Sequence, residues 1–309
     1  MPALLTHYCF ARMAIEPRFE EYRDVIDLAT QGPDPFFFYG QVKKRPGKQE
    51  ISSYGGLIHH IDISETYLKM MEYAKESPHK DMLAAYLAGI LMHYSVDSVC
   101  HPYIFFSSGF DEEGHLTGYY SWSHKALEAL IDVVLSKKRG YFQAKPGKTM
   151  KLDSEKLNEI SKMWGFAGPD YIQDDSFALA TQDYIRAFDL IQSHGGWKRP
   201  IWRIMGKYSA MYGLSYPARW KRLAKCDPLN EEHREWQDPT TGLVHRESFE
   251  ELLEIAKKKY HVALEMLDSF LEGKDISAEF KAWVNNIDHD GGIIGGKMTH
   301  FSLCWERLH

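Results

Sequence analysis

Residues 83–92 (LAAYLAGILM) form an unbroken apolar run, and HYSVDSVCHP follows it directly. A run that is apolar on every face reads as a helix buried all round rather than one lying on a surface. His93, Asp97 and His101 sit at i, i+4 and i+8 along its continuation, so three ligand-type side chains share one stripe of a helix meant for the interior. A buried polar group left without a partner costs roughly 2–7 kcal/mol. Hydrogen bonds or a metal ion must therefore satisfy these three, and the rest of the chain has to supply them.

Helical spacing recurs elsewhere, while alternating apolar and polar runs are scarce. The expected class is all-α, a multi-helix bundle with a metal cluster in its core. Helices are predicted over residues 64–76, 80–100, 121–137, 154–164, 176–193, 201–224, 248–271 and 278–285, with Pro102 ending the central one. Serines at 121 and 123 can cap the helix that buries Ala126, Leu127, Leu130, Ile131 and Val134. Loops are expected over 42–53, 107–118 and 139–150. Residues 1–140 would form the metal-binding helical core and 141–309 its continuation in the same domain.

The net charge of -6 argues against duplex nucleic acid as a partner, since no global basic field is present. The apolar run at 83–92 falls short of the roughly 20 residues a bilayer span needs, so no transmembrane segment is expected. The start lacks a basic stretch before its apolar residues, which predicts no secretory signal. Cys9, Cys100, Cys226 and Cys304 lie far apart, as reduced core thiols of a cytoplasmic protein would.

On the second helix His124 and Glu128 repeat the i, i+4 spacing, which lets an imidazole and a carboxylate converge on one ion. With 15 His and 58 possible partners, the 43 acidic residues and the 15 His themselves, about three such pairs arise by chance. The apolar setting of His93 and Asp97 is what lifts these above that background. Upstream stand His7 in LLTHYCFA, Asp34 in GPDPFFFYG, and His59 and His60 in GLIHHIDIS.

In this order the elements THxxxA, GPD, HxxD, HxxxD with a further His, and HxxxE resemble the zinc-dependent phospholipase C family, which is related to fungal single-strand nucleases. The resemblance spans about residues 5–132. It implies one Zn2+ held by Asp34, His59, His93 and Asp97, with His60 as the alternative to His59, and a second held by His101, His124 and Glu128. Asp34 or a bridging water would link them. A third zinc would take His7 and share Asp97, giving two or three ions in all. The chain departs from the family in lacking an N-terminal Trp, although loss of Met1 would leave the Pro2 amine five residues before His7. Its interval from Asp97 to His101 is also shorter than in the secreted lipases, which is closer to a predicted intracellular bacterial branch.

Two divalent ions about 3.5–4 Å apart can acidify a shared water and neutralise a phosphoryl group. The expected activity is therefore hydrolysis of a phospholipid or another small phosphodiester, with Asp34 orienting the attacking hydroxide or accepting its proton. Two alternatives stand beside it: a nuclease or an HD-type phosphohydrolase, against which the ligand order argues, and a helical binding protein whose zinc is structural. Phe36, Phe37 and Phe38, and likewise Tyr119, Tyr120 and Trp122, would pack in the core or line an entrance. His115 and the basic VKKRPGK segment read as solvated. LNEEHREW (229–236) is expected to complete the bundle, and DHDGG (288–292) to form a turn.

Overall fold

The computed structural model describes residues 4–142 and 146–302. Cys304 and Pro2 lie outside the described residues. Thirteen α-helices account for most of them: α1 (Leu4–Ala14), α2 (Arg23–Ala29), α3 (Lys48–His59), α4 (Ser64–Glu76), α5 (Lys80–Ser108), α6 (Gly118–Lys138), α7 (Ser154–Ala167), α8 (Ser176–Ile191), α9 (Arg199–Met205), α10 (Ala210–Leu214), α11 (Trp220–Leu223), α12 (Phe249–Leu271) and α13 (Ser277–Val284). The strands β1 (Trp236–Gln237) and β2 (Val244–His245) pair antiparallel through Trp236 and His245. The fold is all-α.

Helix α5 runs through the centre, with every residue from Met82 to Ser98 buried. It packs against α1, α2, α4, α6 and α12. By length and composition α5 could cross a bilayer, but 89% of its apolar window is covered by the other helices. The hydrophobic core around it draws on residues from Leu4 to Val284.

Pro102 does not end this helix, which continues to Ser108. A proline inside a helix withholds the N–H that the carbonyl four residues earlier would accept. Here that carbonyl belongs to Ser98, and Gly291 packs against it and against the proline ring. A Cβ on Gly291 would lie 2.6 Å from both the Ser98 oxygen and Pro102 Cδ, and its φ of 74° is left-handed. The interruption is thus covered by backbone from the far end of the chain.

Other departures from the expected elements have local causes. The segment 201–224 is not one helix: extended backbone at Gly206 closes α9, Ser209 caps α10 through Tyr212 N–H, and Pro217 precedes α11. Residues 229–235, expected to complete the bundle, form a loop that leads into β1 at Trp236. Helix α3 begins at Lys48, within the segment expected as loop, and α1 shows no clear stripe because it is buried on most sides. Ser121 and Ser123 do not cap α6, which starts earlier, at Gly118, whereas the helix predicted over 248–271 forms as α12. Ser248 and Glu251 form a reciprocal capping box at the start of α12, with Ser248 N–H donating to Glu251 at 2.8 Å.

Gly89 lets α2 approach α5, since a Cβ there would fall 2.3 Å from that of Ala29. Gly→Ala inside a helix normally stabilises by about 0.5–1 kcal/mol, whereas overpacking a tight core costs about 1–3 kcal/mol. The clash should win. Gly89→Ala is expected to lower the urea midpoint, by about 1–2 kcal/mol of stability, with the slope unchanged; a midpoint at or above that of the wild type would show the α2–α5 contact to be slack.

Candidate metal centre

Eight of the nine ligand-type residues named above come together in the interior. Helix α1 brings His7, the 3-10 turn Asp34–Phe38 opens with Asp34, and α3 ends on His59. Helix α5 contributes His93, Asp97 and His101, and α6 contributes His124 and Glu128. Each is at most 4% exposed. They form three groups able to hold a metal ion: His7, His93 and Asp97; Asp34, His59 and His93; and His101, His124 and Glu128.

Within the first two groups the imidazole Nε2 atoms face carboxylate oxygens. His93 Nε2 lies 3.0 Å from Asp97 Oδ2, His7 Nε2 3.2 Å from Asp97 Oδ1, and His59 Nε2 3.1 Å from Asp34 Oδ1. In the third, His124 Nε2 and His101 Nε2 lie 3.1 and 3.6 Å from Glu128 Oε1. On three of the five rings the opposite nitrogen meets a backbone carbonyl. His93 Nδ1 donates to the Thr30 carbonyl at 3.0 Å, His59 Nδ1 to Gly55 at 2.5 Å and His101 Nδ1 to His289 at 2.7 Å. A carbonyl can only accept, so it holds the proton on Nδ1 and leaves Nε2 as a lone pair directed inward.

Lone pairs then face lone pairs across about 3 Å, an arrangement that needs a cation between them. Among the described residues, His7 Nε2, Asp34 Oδ1, His59 Nε2, His93 Nε2, both Asp97 oxygens and His101 Nε2 are buried without a hydrogen-bond partner. Each such atom costs about 1–3 kcal/mol, so seven of them rival the roughly 5–15 kcal/mol by which a whole domain is stable. Protons or metal ions must offset this. Burial, reinforced by neighbouring His93, lowers the His7 pKa. For Asp97, burial is outweighed by His93, His101 and His7, which hold the carboxyl well below its usual range. Against burial, Asp97 raises the His93 pKa, and Asp97 with Glu128 raises that of His101; a metal ion at these groups would take the place of those protons.

Gly32 and Asp132 supply the geometry. Gly32, at φ 51°, lies where a Cβ would sit 2.2 Å from His93 Cδ2, so only glycine lets the turn carrying Asp34 press on that ring. Asp132, one turn beyond Glu128, accepts from Leu5 N–H at 2.9 Å, Thr6 N–H at 2.6 Å, the Thr6 hydroxyl at 2.8 Å and the Tyr216 hydroxyl at 3.3 Å. It satisfies the open N–H groups at the start of α1 and so sets where His7 points. Burial pushes this carboxyl up to about 7.

His60 is not part of the cluster. It turns outward, 63% exposed, toward Asp290 and Asp288 at 3.5 and 3.7 Å, because the α3 helix ends at His59 and places the next side chain on the other side. His115 is also exposed. Arg45 of the basic loop pairs with buried Asp183 at 2.7 Å. Phe36 packs in the core against Trp164 and Phe177, Phe38 against Tyr184, and Phe37 beside His59 with ring centroids 5.2 Å apart.

His289 is the residue that sequence reasoning missed. It is fully buried, its ring 4.8 Å from that of His59 and 5.5 Å from that of His93. Its N–H donates to the His59 carbonyl at 3.1 Å while its own carbonyl receives His101 Nδ1. Burial, then His59 and His93, hold its pKa well below the ordinary value. DHDGG does turn, as its composition indicates, but the turn is docked onto the cluster of candidate ligands. No family model, no curated protein and no solved structure matches this chain.

Asp132→Asn offers one acceptor oxygen where four donors converge. A loss of about 1–3 kcal/mol in urea unfolding is expected, together with weaker metal retention as α1 and His7 shift. Unchanged stability and metal content would show that α1 docks without this carboxylate.

Proposed function

We propose that the chain is a zinc-dependent phosphodiester hydrolase. The observation that carries this reading is the set of inward Nε2 and carboxylate atoms in three adjoining groups, with the imidazole orientations fixed by backbone carbonyls. Nitrogen and oxygen donors in sets of three suit zinc with a position left open for water or substrate. His7, His59, His93 and Asp97 would hold ions in the first two groups together with Asp34, and His101, His124 and Glu128 in the third. When bound, zinc supplies Lewis acidity and a water acidic enough to ionise near neutral pH.

The protein's own part is positional. Asp34 stands on the turn beside the His59 imidazole, where its carboxylate can orient an attacking water or take its proton. Thr30, Gly55 and the His289 carbonyl keep the imidazoles from rotating. The substrate class is a small phosphodiester or a phospholipid headgroup, as the resemblance over residues 5–132 implies.

A second reading has its own observation. Every residue of the cluster is nearly sealed from solvent, as in a structural zinc site that binds without turnover.

Elemental analysis separates them when run with turnover of bis(p-nitrophenyl) phosphate and of phosphatidylcholine. Two or three zinc per chain are expected, with activity lost on chelation and regained on adding zinc. Asp97→Asn should lose metal and activity together. Asp34→Asn should slow turnover by about 10²–10⁴-fold, as loss of a general base does, with the remaining ligands still holding metal. Full zinc loading without hydrolysis of either ester would favour the structural reading, and a folded protein that takes up no zinc would sink both.

A further inference from the structure

Between residues 190 and 226 the chain carries eight Lys and Arg and no Asp or Glu, although its net charge is -6. Helix α9 lies inside this stretch. Its inner side is anchored by Trp202, buried with its Nε1–H donating to the Ile191 carbonyl at 3.1 Å. Its outer side shows Ile201, Ile204 and Met205 at i, i+3 and i+4, which share one face. Ile204 is 88% exposed, and Met205 and the flanking Trp197 are each 64% exposed. Tyr208 extends the same apolar surface.

Arg203 and Lys207 stand on and just after this helix, and Arg219, Lys221, Arg222 and Lys225 follow in the same stretch of chain, all exposed. Among the described residues, none of their head groups pairs with a carboxylate. We propose that the outer face of α9 with the cations of this stretch docks onto the surface of an anionic lipid bilayer. Aliphatic tips enter the acyl boundary, an indole and a phenol sit at headgroup level, and the cations meet lipid phosphates and carboxylates.

Charge and shape favour this occupant over others. A second copy of the chain would bring two identical basic patches together across a twofold axis. Single-stranded nucleic acid binds by stacking on aromatic faces, whereas the most exposed side chain here is the aliphatic Ile204. The patch also adjoins the metal-bearing helix. Tyr208 packs on Tyr119 and Trp122 with centroids 5.7 and 5.8 Å apart, and Trp122 lies two residues before His124. The inference stands apart from the phosphodiesterase reading, because docking is measured without turnover.

The full chain would be sedimented with vesicles of phosphatidylcholine alone and of phosphatidylcholine with phosphatidylserine, at low and raised salt. Binding is expected only with phosphatidylserine, weakening as salt rises. The pairs Ile204→Asp with Met205→Asp, and Arg203→Glu with Lys207→Glu, should each bind at least about tenfold more weakly while keeping the wild-type circular dichroism spectrum. Equal binding to both vesicle types, full binding by both variants, or no binding would overturn the proposal. So would tighter association with a single-stranded oligonucleotide, or a dimer that the Ile204 variant abolishes.

Discussion

A carboxylate at the centre of the most apolar helix is the demand the rest of the molecule answers. Asp97 has no exposure and sits one turn from His93, with His7 delivered to its other oxygen from α1. Removing such a charge from water is tolerable only if cations or strong donors surround it. Among the described residues its ionic partners are imidazoles, not lysines or arginines, and His93, His59 and His101 are themselves held by the Thr30, Gly55 and His289 carbonyls. The packing of α1, α3, α5, α6 and the 34–38 turn is thus arranged around a charge that the helix alone cannot accommodate.

Much of this was legible in the sequence because the signals are local. A polar stripe in an apolar run announces itself, and so does the i, i+4 pair His124 and Glu128. What was hidden depends on long-range contact. Pro102 reads as a terminator until Gly291 covers the freed Ser98 carbonyl. His289 reads as part of a turn because only the tertiary fold carries it to His59 and His93. Composition reported the turn's backbone but not where that backbone docks.

The 288–292 turn joins two functions that a sequence cannot connect. Its glycine packs on the proline break in α5, and one residue before Pro102 the same helix presents His101 Nδ1 to the carbonyl of His289. His289 N–H also holds the last carbonyl of α3, beside the His59 ring. One turn therefore fixes ligands in two of the three groups. Loosening it would disturb both, although it supplies no atom to any of them.

Burial and chemistry pull this centre in opposite directions. Sealing the cluster strengthens every interaction within it, since field strength rises as water leaves, and it would tie the affinity for any metal to folding because the candidate ligands come from five separate elements. The same sealing would restrict entry of the substrate proposed above. The surface beside the centre is where that tension would be relieved: Trp122 and Tyr119 on α6 contact Tyr208, at the edge of the exposed face of α9. A displacement of α9 or α10 would be felt at the helix end that carries His124, while Asp97, gripped from α1 and α5, would stay in place.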